Sequence, residues 1–210
     1  MELKYDYLLY LHIAAGFIAL AAGLAAAFFG KGSKRHTAAG RLFGFSMGLA
    51  ALFAIALALW HPNPFLLGIG FFTLYLVSSG WVWIRRIPFI SKVKIGKAIG
   101  IIGILSAGYM LSVGLRLSSG GVILYVFAGI LTLFALSDLF VKTDPKKTAA
   151  KHGGRMGGAL IAAITAFMAT NVYFLPAMVV WLGPTIIGTP MIVLGIRKYY
   201  KKVKPKRKTS

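Results

Sequence analysis

The chain has 210 residues, of which 58% are hydrophobic and 13% are charged, and its formal net charge at pH 7 is +20. A soluble domain of this length would need a larger polar surface, so the composition excludes an ordinary soluble fold. The chain has no cysteine, which excludes disulfides, iron–sulfur clusters and thiolate metal sites. Apolar runs of about 18 or more residues recur along it, which is typical of membrane-spanning helices.

The apolar runs, and the breakers between them, predict an all-α bundle of seven transmembrane helices. In chain order the predicted spans are Tyr7–Phe29, Thr37–Trp60, Pro64–Ile84, Ile95–Leu115, Gly121–Val141, Gly153–Phe174 and Ala177–Ile196. Residues 1–198 form one predicted transmembrane domain, and residues 199–210 form a basic tail. The first run is too long for the apolar core of a signal peptide and lacks a basic segment before it, so we expect it to remain as the first helix.

Basic residues are concentrated at one end of these helices. The loops after the first, third and fifth spans, the first residues of the spans that follow them, and the segment after Ile196 together hold 22 of the 24 Lys and Arg residues. The other two are Lys4 and Arg116. Because basic loops stay on the cytoplasmic side, we predict the N-terminus outside and the C-terminus in the cytoplasm. The charge therefore indicates contact with anionic lipid headgroups rather than with nucleic acid, which would need a clustered basic surface. We call the end of the bundle that carries these loops the basic face.

Glycines recur at the same end of the predicted helices. The motifs GRLFG (40–44), GKAIG (96–100) and GRMGG (154–158) begin the second, fourth and sixth spans. Their shared pattern predicts three related hairpins followed by a single seventh helix. Gly40, Gly44 and Gly48 recur every four residues, a spacing that permits close helix packing in lipid. A glycine face of this kind would also leave a flat slot for a ligand such as the edge of a macrocycle.

The ionisable residues inside the spans indicate a site of structural or functional importance, because a charge at the centre of a membrane costs about 2.5–3.5 kcal/mol. Three of them, Arg41, Asp138 and Arg155, share a layer near the basic face with His36 and His152, which lie at the ends of the spans. From the helical rise this layer is about 8 Å deep. Asp138 is the only acidic residue in any span. Since an arginine partner keeps a buried carboxylate charged, we predict an ion pair between Asp138 and either Arg155 or Arg41.

A smaller polar group lies toward the opposite face. His12 lies inside the first span and Asn171 at similar depth in the sixth, whereas His61 follows Trp60 in a turn. The sequence has no acidic pair suited to magnesium, no GxSxG, HExxH or P-loop motif, and no mid-span lysine in the seventh helix. Prenyl diphosphate transfer, the chemistries of those motifs and a retinal Schiff base are therefore not expected.

Haem binding is the first of two site chemistries that remain. Histidines at matched depth on neighbouring helices are the ligands that b-type haem needs from a helix bundle, which makes His36 and His152 a candidate pair. Arginines beside them would balance the haem propionates. The cofactor-binding candidates are accordingly His36, His152, His12, Arg41 and Arg155. No catalytic residue is predicted.

A zinc site is the alternative. His36, His152 and Asp138 would supply two nitrogens and a carboxylate and leave one position open for water. Such a centre would make the protein a lipid hydrolase at the inner leaflet. A third hypothesis is a non-catalytic membrane scaffold or small-solute carrier. Because the candidate ligands come from separate helices, their spacing in the sequence does not distinguish the haem, zinc and non-catalytic hypotheses. It also leaves open whether the protein is an enzyme.

Three segments carry a resemblance to a family of small bacterial multi-span membrane proteins of unknown function. They are LHIAAGFIALAAGLAAAFFGKGSKRHTAAGRLFG (11–44), ALSDL (135–139) and HGGRMGGALIAAITAF (152–167). The resemblance implies that the family's polar positions are His12, His36, Arg41, Asp138, His152 and Arg155, and that the chain lies in a bacterial cell membrane. The family is similar in layout to membrane cytochromes of the b561 and ferric-reductase type, which favours a haem-binding redox or quinone-linked protein with a quinone or lipid as substrate. The position of His61 in a turn departs from a two-haem pattern, in which it would pair with His12.

Overall fold

The computed structural model describes residues 2–84, 91–140 and 145–203, and these ranges contain seven α-helices and no strand. The helices are α1 (Glu2–Phe28), α2 (Lys34–Trp60), α3 (Pro64–Ile84), α4 (Lys92–Gly114), α5 (Gly121–Phe140), α6 (Pro145–Asn171) and α7 (Ala177–Val203). Six of the described helices are long and apolar enough to cross a membrane, and α6, whose first turns are basic, is the exception. The predicted all-α, seven-helix membrane bundle is confirmed.

The helix ends follow from local chemistry. The hydroxyl of Ser33 accepts a hydrogen bond from the backbone N–H of His36 and caps α2, and the turn before it contains Gly32 at φ +83°. The side chain of Asn63 accepts a hydrogen bond from the backbone N–H of Leu66 in the same way. Asn63 directly precedes Pro64, the first residue of α3. The seventh helix continues to Val203, so the predicted boundary between the membrane domain and a tail at residues 198–199 is not a break in secondary structure.

Helix α3 lies at the centre of the bundle. It packs against α2, α4, α5 and α6, while α1 packs mainly on α2 and α7 packs mainly on α6. The most completely buried large side chains, Leu76, Met110, Leu124 and Leu131, come from α3, α4 and α5. The core therefore sits around α3, and α1 and α7 flank it.

Helices α5 and α6 are neighbours in sequence without packing backbone to backbone. Within the described ranges, no Cα atom of α5 comes within 8 Å of one of α6. Instead α6 packs against α3 and α7, and α5 pairs with α4. The repeat of three glycine motifs therefore does not produce three like hairpins. The separation of α5 from α6 leaves room between them for long side chains and for a cavity.

The glycines on one face of α2 differ in how closely they pack against other helices. A Cβ atom added at Gly44 would collide with the indole of Trp81, so close packing at this position requires glycine. At Gly40, in contrast, the added atom would meet nothing within 4 Å in the described chain. The close-packing interpretation is thus correct for Gly44 and wrong for Gly40.

Candidate functional site: a buried ion-pair cluster beside an apolar cavity

Asp138, in the last turns of α5, is the centre of a buried polar cluster. The residue is 3% exposed, and its Oδ1 lies 2.7 Å from Nη2 of Arg155 and 3.4 Å from Nζ of Lys151. Both cations come from α6, one turn apart, so they reach the same carboxylate from one face of the helix. The predicted ion pair between Asp138 and Arg155 is present, and Lys151 is a second cation that the sequence analysis did not include.

Three neutral donors from α3 complete the shell of this carboxylate. Tyr75 and Ser79 donate their hydroxyl protons to Oδ2 of Asp138 at 2.8 and 2.6 Å, and Trp83 donates its indole N–H to Oδ1 at 3.2 Å. Their spacing of four residues places them on one stripe of α3. Sequence reasoning missed all three because it searched for charged groups, although the recurrence of hydrogen-bonding side chains every four residues in YLVSSGWVW is visible in the sequence.

The two cations are also held by carbonyl oxygens near the end of α5. Arg155 donates to the backbone oxygen of Phe134 at 3.1 Å, and Lys151 donates to that of Ser137 at 3.0 Å. Ser137 is among the last four residues of α5, whose carbonyls have no partner inside the helix and carry the negative end of its dipole. One carboxylate facing two cations would leave an excess positive charge, and these carbonyls offset part of it. Arg155 also donates from Nε to the Ser79 hydroxyl at 2.9 Å, which links α6 to α3.

The predicted histidines connect helices rather than gather at one point. Each donates from Nδ1 to a backbone carbonyl 2.9 Å away: His12 to Ala50, His36 to Ala26 and His152 to Gly80. In this tautomer Nε2 carries the free lone pair. The histidine contacts thus join α1 to α2 and α6 to α3.

His36 has a clear local role at the end of α1. The Ala26 carbonyl that it contacts is one of the last four of the helix, and the next carbonyl, of Ala27, accepts from Nζ of Lys31 at 3.4 Å. Partial burial lowers the pKa of Lys31 below its ordinary value, since desolvation disfavours the charged amine. His36 and Lys31 together satisfy acceptors that the helix itself leaves open.

Several predicted site residues lie apart from one another. Arg41 is exposed and lines a shallow basic pocket with Lys34, so in the described chain Asp138 pairs with Arg155 and not with Arg41. His36, His152 and Asp138 do not form a zinc site, because no three His, Cys, Asp or Glu residues within the described ranges are close enough to hold a metal ion.

The outer histidine pair is not formed either. His12 is level with Ala50 on α2, whereas His61 lies at the end of that helix, about 16 Å further along its axis from the rise per residue. The ring of His61 instead packs edge-on against Tyr5, with centroids 4.4 Å apart, and Tyr5 also contacts Trp60. His61 thus belongs to a cluster of aromatic rings at the opposite face, of the kind common at membrane interfaces.

A cavity of about 210 Å³ lies beside the ion-pair cluster, between α3, α5, α6 and α7. It occupies the space left by the separation of α5 from α6, and its walls are almost entirely apolar. Four aromatic residues line it: Phe72, Phe127, Phe134 and Trp181. Phe134 belongs to both features, since its ring and its carbonyl contact Arg155. Phe134 therefore connects the cluster to the cavity.

Two hydroxyl groups in the cavity wall have no hydrogen-bond partner. Oγ1 of Thr165 on α6 and Oγ1 of Thr185 on α7 are both buried, and neither makes a hydrogen bond in the described chain. Thr165 is 2% exposed, so water does not solvate it from outside the bundle. Unpaired buried hydroxyls are rare in folded proteins, because each costs about 1–3 kcal/mol. These two groups are the buried, unpaired hydroxyls of the cavity wall in the described chain.

The fold and the site together define a polytopic helical membrane protein with a buried ion-pair cluster and an apolar cavity between its helices. Comparison of the chain with protein-family models, with curated proteins and with solved structures finds no match.

Proposed function

We propose that this protein binds a lipid-soluble small molecule in the cavity between α3, α5, α6 and α7. The observation that carries the proposal is the cavity itself, apolar in its walls and supplied with two unpaired hydroxyls. Binding sites for small molecules usually combine an apolar lining with a few polar groups that fix orientation. A cavity that served only as a packing defect would give no reason for buried hydroxyls without partners.

The volume limits what the cavity holds. An engineered apolar cavity of about 150 Å³ binds benzene, and drug-sized ligands occupy about 300–1,000 Å³. At about 210 Å³ the present cavity fits one six-membered ring with a few substituents, or a branched segment of similar size. A longer hydrocarbon tail would extend outward past α7.

Helix α7 is the side from which a ligand would arrive. It packs mainly on α6 and contains two prolines, Pro184 and Pro190, each of which removes a hydrogen bond from the helix. Its outer residues are exposed, with Ile186 at 71% and Met191 at 68%, as expected for a lipid-facing surface. A molecule dissolved in the bilayer therefore reaches the cavity by displacing one lightly packed helix, without crossing an aqueous phase.

A matched pair of glycine variants tests this function. A Cβ atom added at Gly154 or at Gly129 meets nothing within 4 Å in the described chain, but only Gly154 lines the cavity. We expect the purified protein to carry a lipid-soluble molecule, detected by native mass spectrometry and extraction, in about equimolar amount. The Gly154→Leu protein should lose the bound molecule, because the leucine fills the cavity. The Gly129→Leu protein should keep it. Equal occupancy in the two variants, or an empty wild-type protein that binds no apolar aromatic probe, contradicts the proposal.

Haem binding by His36 and His152 is the second candidate function. The observation in its favour is that both rings donate from Nδ1 to a carbonyl and keep Nε2 free, as haem-ligating histidines do. The packing does not favour it: a Cβ atom added at Gly80 would lie 2.7 Å from Sδ of Met156, so α3 and α6 leave no slot for a macrocycle edge beside His152 in the described chain. The apolar cavity lies on a face of α6 other than the one that carries His152.

Absorption spectroscopy tests the haem hypothesis. A Soret band that shifts with dithionite, and that disappears in His36→Ala and His152→Ala but persists in His61→Ala, would support it. A colourless protein that gains no such band on titration with haem would refute it. The zinc hydrolase hypothesis lacks a three-ligand site in the described chain, and stoichiometric zinc by elemental analysis would contradict that finding. The resemblance to a bacterial family, the location in the bacterial cell membrane and the contact with anionic lipid headgroups stay predictions.

A further inference from the structure

The unpaired hydroxyls are exceptional among the residues that the structure describes. Several other Ser and Thr hydroxyls in the described helices donate to the carbonyl four residues earlier: Thr132 to Ala128 at 2.8 Å, Ser106 to Ile102 at 2.8 Å and Thr170 to Ala166 at 3.1 Å. This back-bond is the usual way in which a helix satisfies such a group in an apolar environment. Thr165 and Thr185 have the same option and do not use it. Their protons are thus free for an acceptor in the cavity.

The cavity walls provide few acceptors for these protons. The lining around the two threonines consists of Ile, Leu, Val, Phe, Trp, Ala and Gly side chains, apart from the hydroxyl of Thr189. A ligand that satisfies both hydroxyls needs oxygen atoms with free lone pairs, and it must remain soluble in lipid. Carbonyl oxygens on an uncharged molecule meet both requirements, whereas a hydrocarbon or a halocarbon meets only the second.

The aromatic walls indicate the shape of that ligand. Phe72 and Phe127 lie with centroids 5.2 Å apart at an interplanar angle of 34°, and the rings of Phe134 and Trp181 also line the cavity. Aromatic side chains pack well against flat rings in offset or edge-on arrangements. The volume already limits the bound group to about one ring with substituents.

We propose that the cavity binds a quinone-class ligand, a flat, lipid-soluble ring whose carbonyl oxygens accept hydrogen bonds from Thr165 and Thr185. The inference rests on the proposed function, since it names the class of molecule that occupies the same cavity. The ring lies among the aromatic side chains, and any isoprenoid or alkyl tail runs out past α7 into the bilayer. The contacts are non-covalent and include no transfer of electrons.

The test compares two probes of similar shape. The first is a short-chain alkyl benzoquinone, and the second is the alkylbenzene of matched size that lacks the carbonyl oxygens. Each is titrated into the full-length protein in detergent by isothermal titration calorimetry, with the detergent alone as blank. We expect one site per chain and a tighter dissociation constant for the quinone. Thr165→Val and Thr185→Val keep the side-chain shape. Each should weaken the affinity for the quinone by about threefold to tenfold and leave the affinity for the alkylbenzene unchanged.

Thr170→Val is the matched control, because its hydroxyl is already bonded within α6 and lies outside the cavity. It should alter the affinity for neither probe. If both probes bind equally well and the two cavity variants have no effect, the quinone inference is overturned while the cavity remains a binding site. If neither probe binds, and Gly154→Leu behaves as wild type, the proposed function fails as well.

Discussion

The ion-pair cluster makes a quantitative prediction about coupling between α5 and α6. Asp138→Asn removes the counter-charge of two buried cations, Arg155 and Lys151, and leaves both without compensation. Breaking a buried pair from one side costs about 3–5 kcal/mol of unfolding free energy. Arg155→Leu should cost less, about 2–4 kcal/mol, since Asp138 keeps Lys151 and three neutral donors.

The double variant separates this interaction from general damage to the bundle. Once Asp138 is neutral, removing Arg155 also removes an uncompensated charge, so the second substitution should cost little. We expect the double variant to lose about 4 kcal/mol, which is about 2–3 kcal/mol less than the sum of the single losses. The measurement is reversible unfolding by SDS in mixed micelles, followed by tryptophan fluorescence.

Arg41→Leu is the control for this cycle. Arg41 was an equal candidate for the ion pair from sequence, but it is exposed in the structure. Combined with Asp138→Asn, it should show a coupling below about 0.5 kcal/mol. Additive losses in the Asp138–Arg155 cycle, or a coupling to Arg41 of the same size, would refute the assignment of the pair.

Two further comparisons check the packing and the cavity. Gly44→Ala should destabilise the protein by about 1–3 kcal/mol through collision with Trp81, whereas Gly40→Ala, where nothing lies within 4 Å in the described chain, should change unfolding by less than about 0.5 kcal/mol. Thr165→Val should raise the unfolding free energy of the ligand-free protein by about 1 kcal/mol, since a buried unpaired hydroxyl becomes a methyl group. A loss of stability in that variant would show that the hydroxyl already has a partner.

The number and type of the helices were predictable, since both follow from hydropathy along the chain. The pairing of Asp138 with an arginine was predictable for a related reason: a single carboxylate in an apolar span must find a cation or lose its charge. Which arginine it finds is a matter of tertiary structure. Arg41, Lys97 and Arg155 occupy the same place in three similar motifs, yet only Arg155 is buried. The glycine motif determines the depth of the basic residue along its helix. Its partner depends on which helix packs beside it.

The neutral half of the cluster was not predictable from the same principle. Burial of a single neutral side chain such as Tyr75, Ser79 or Trp83 costs little free energy. The composition of α3 therefore does not mark these residues as parts of a site. Their role appears only when α5 brings a carboxylate to that stripe. The histidines are the opposite case, and cofactor binding by them stays a prediction. They are conspicuous in an apolar sequence, but contacts such as that of His36 with the end of α1 explain them as links between helices.

The cluster and the cavity follow from a single feature, the separation of α5 from α6. Because their backbones stay more than 8 Å apart in the described ranges, only long side chains such as Arg155 and Lys151 reach from one to the other. The cavity lies beside the bridge that these side chains form, and Phe134 contacts both. A shorter side chain at position 155 should therefore let α5 and α6 approach each other and narrow the cavity. It follows that Arg155→Leu should reduce cavity occupancy as well as stability, although Arg155 itself does not line the cavity.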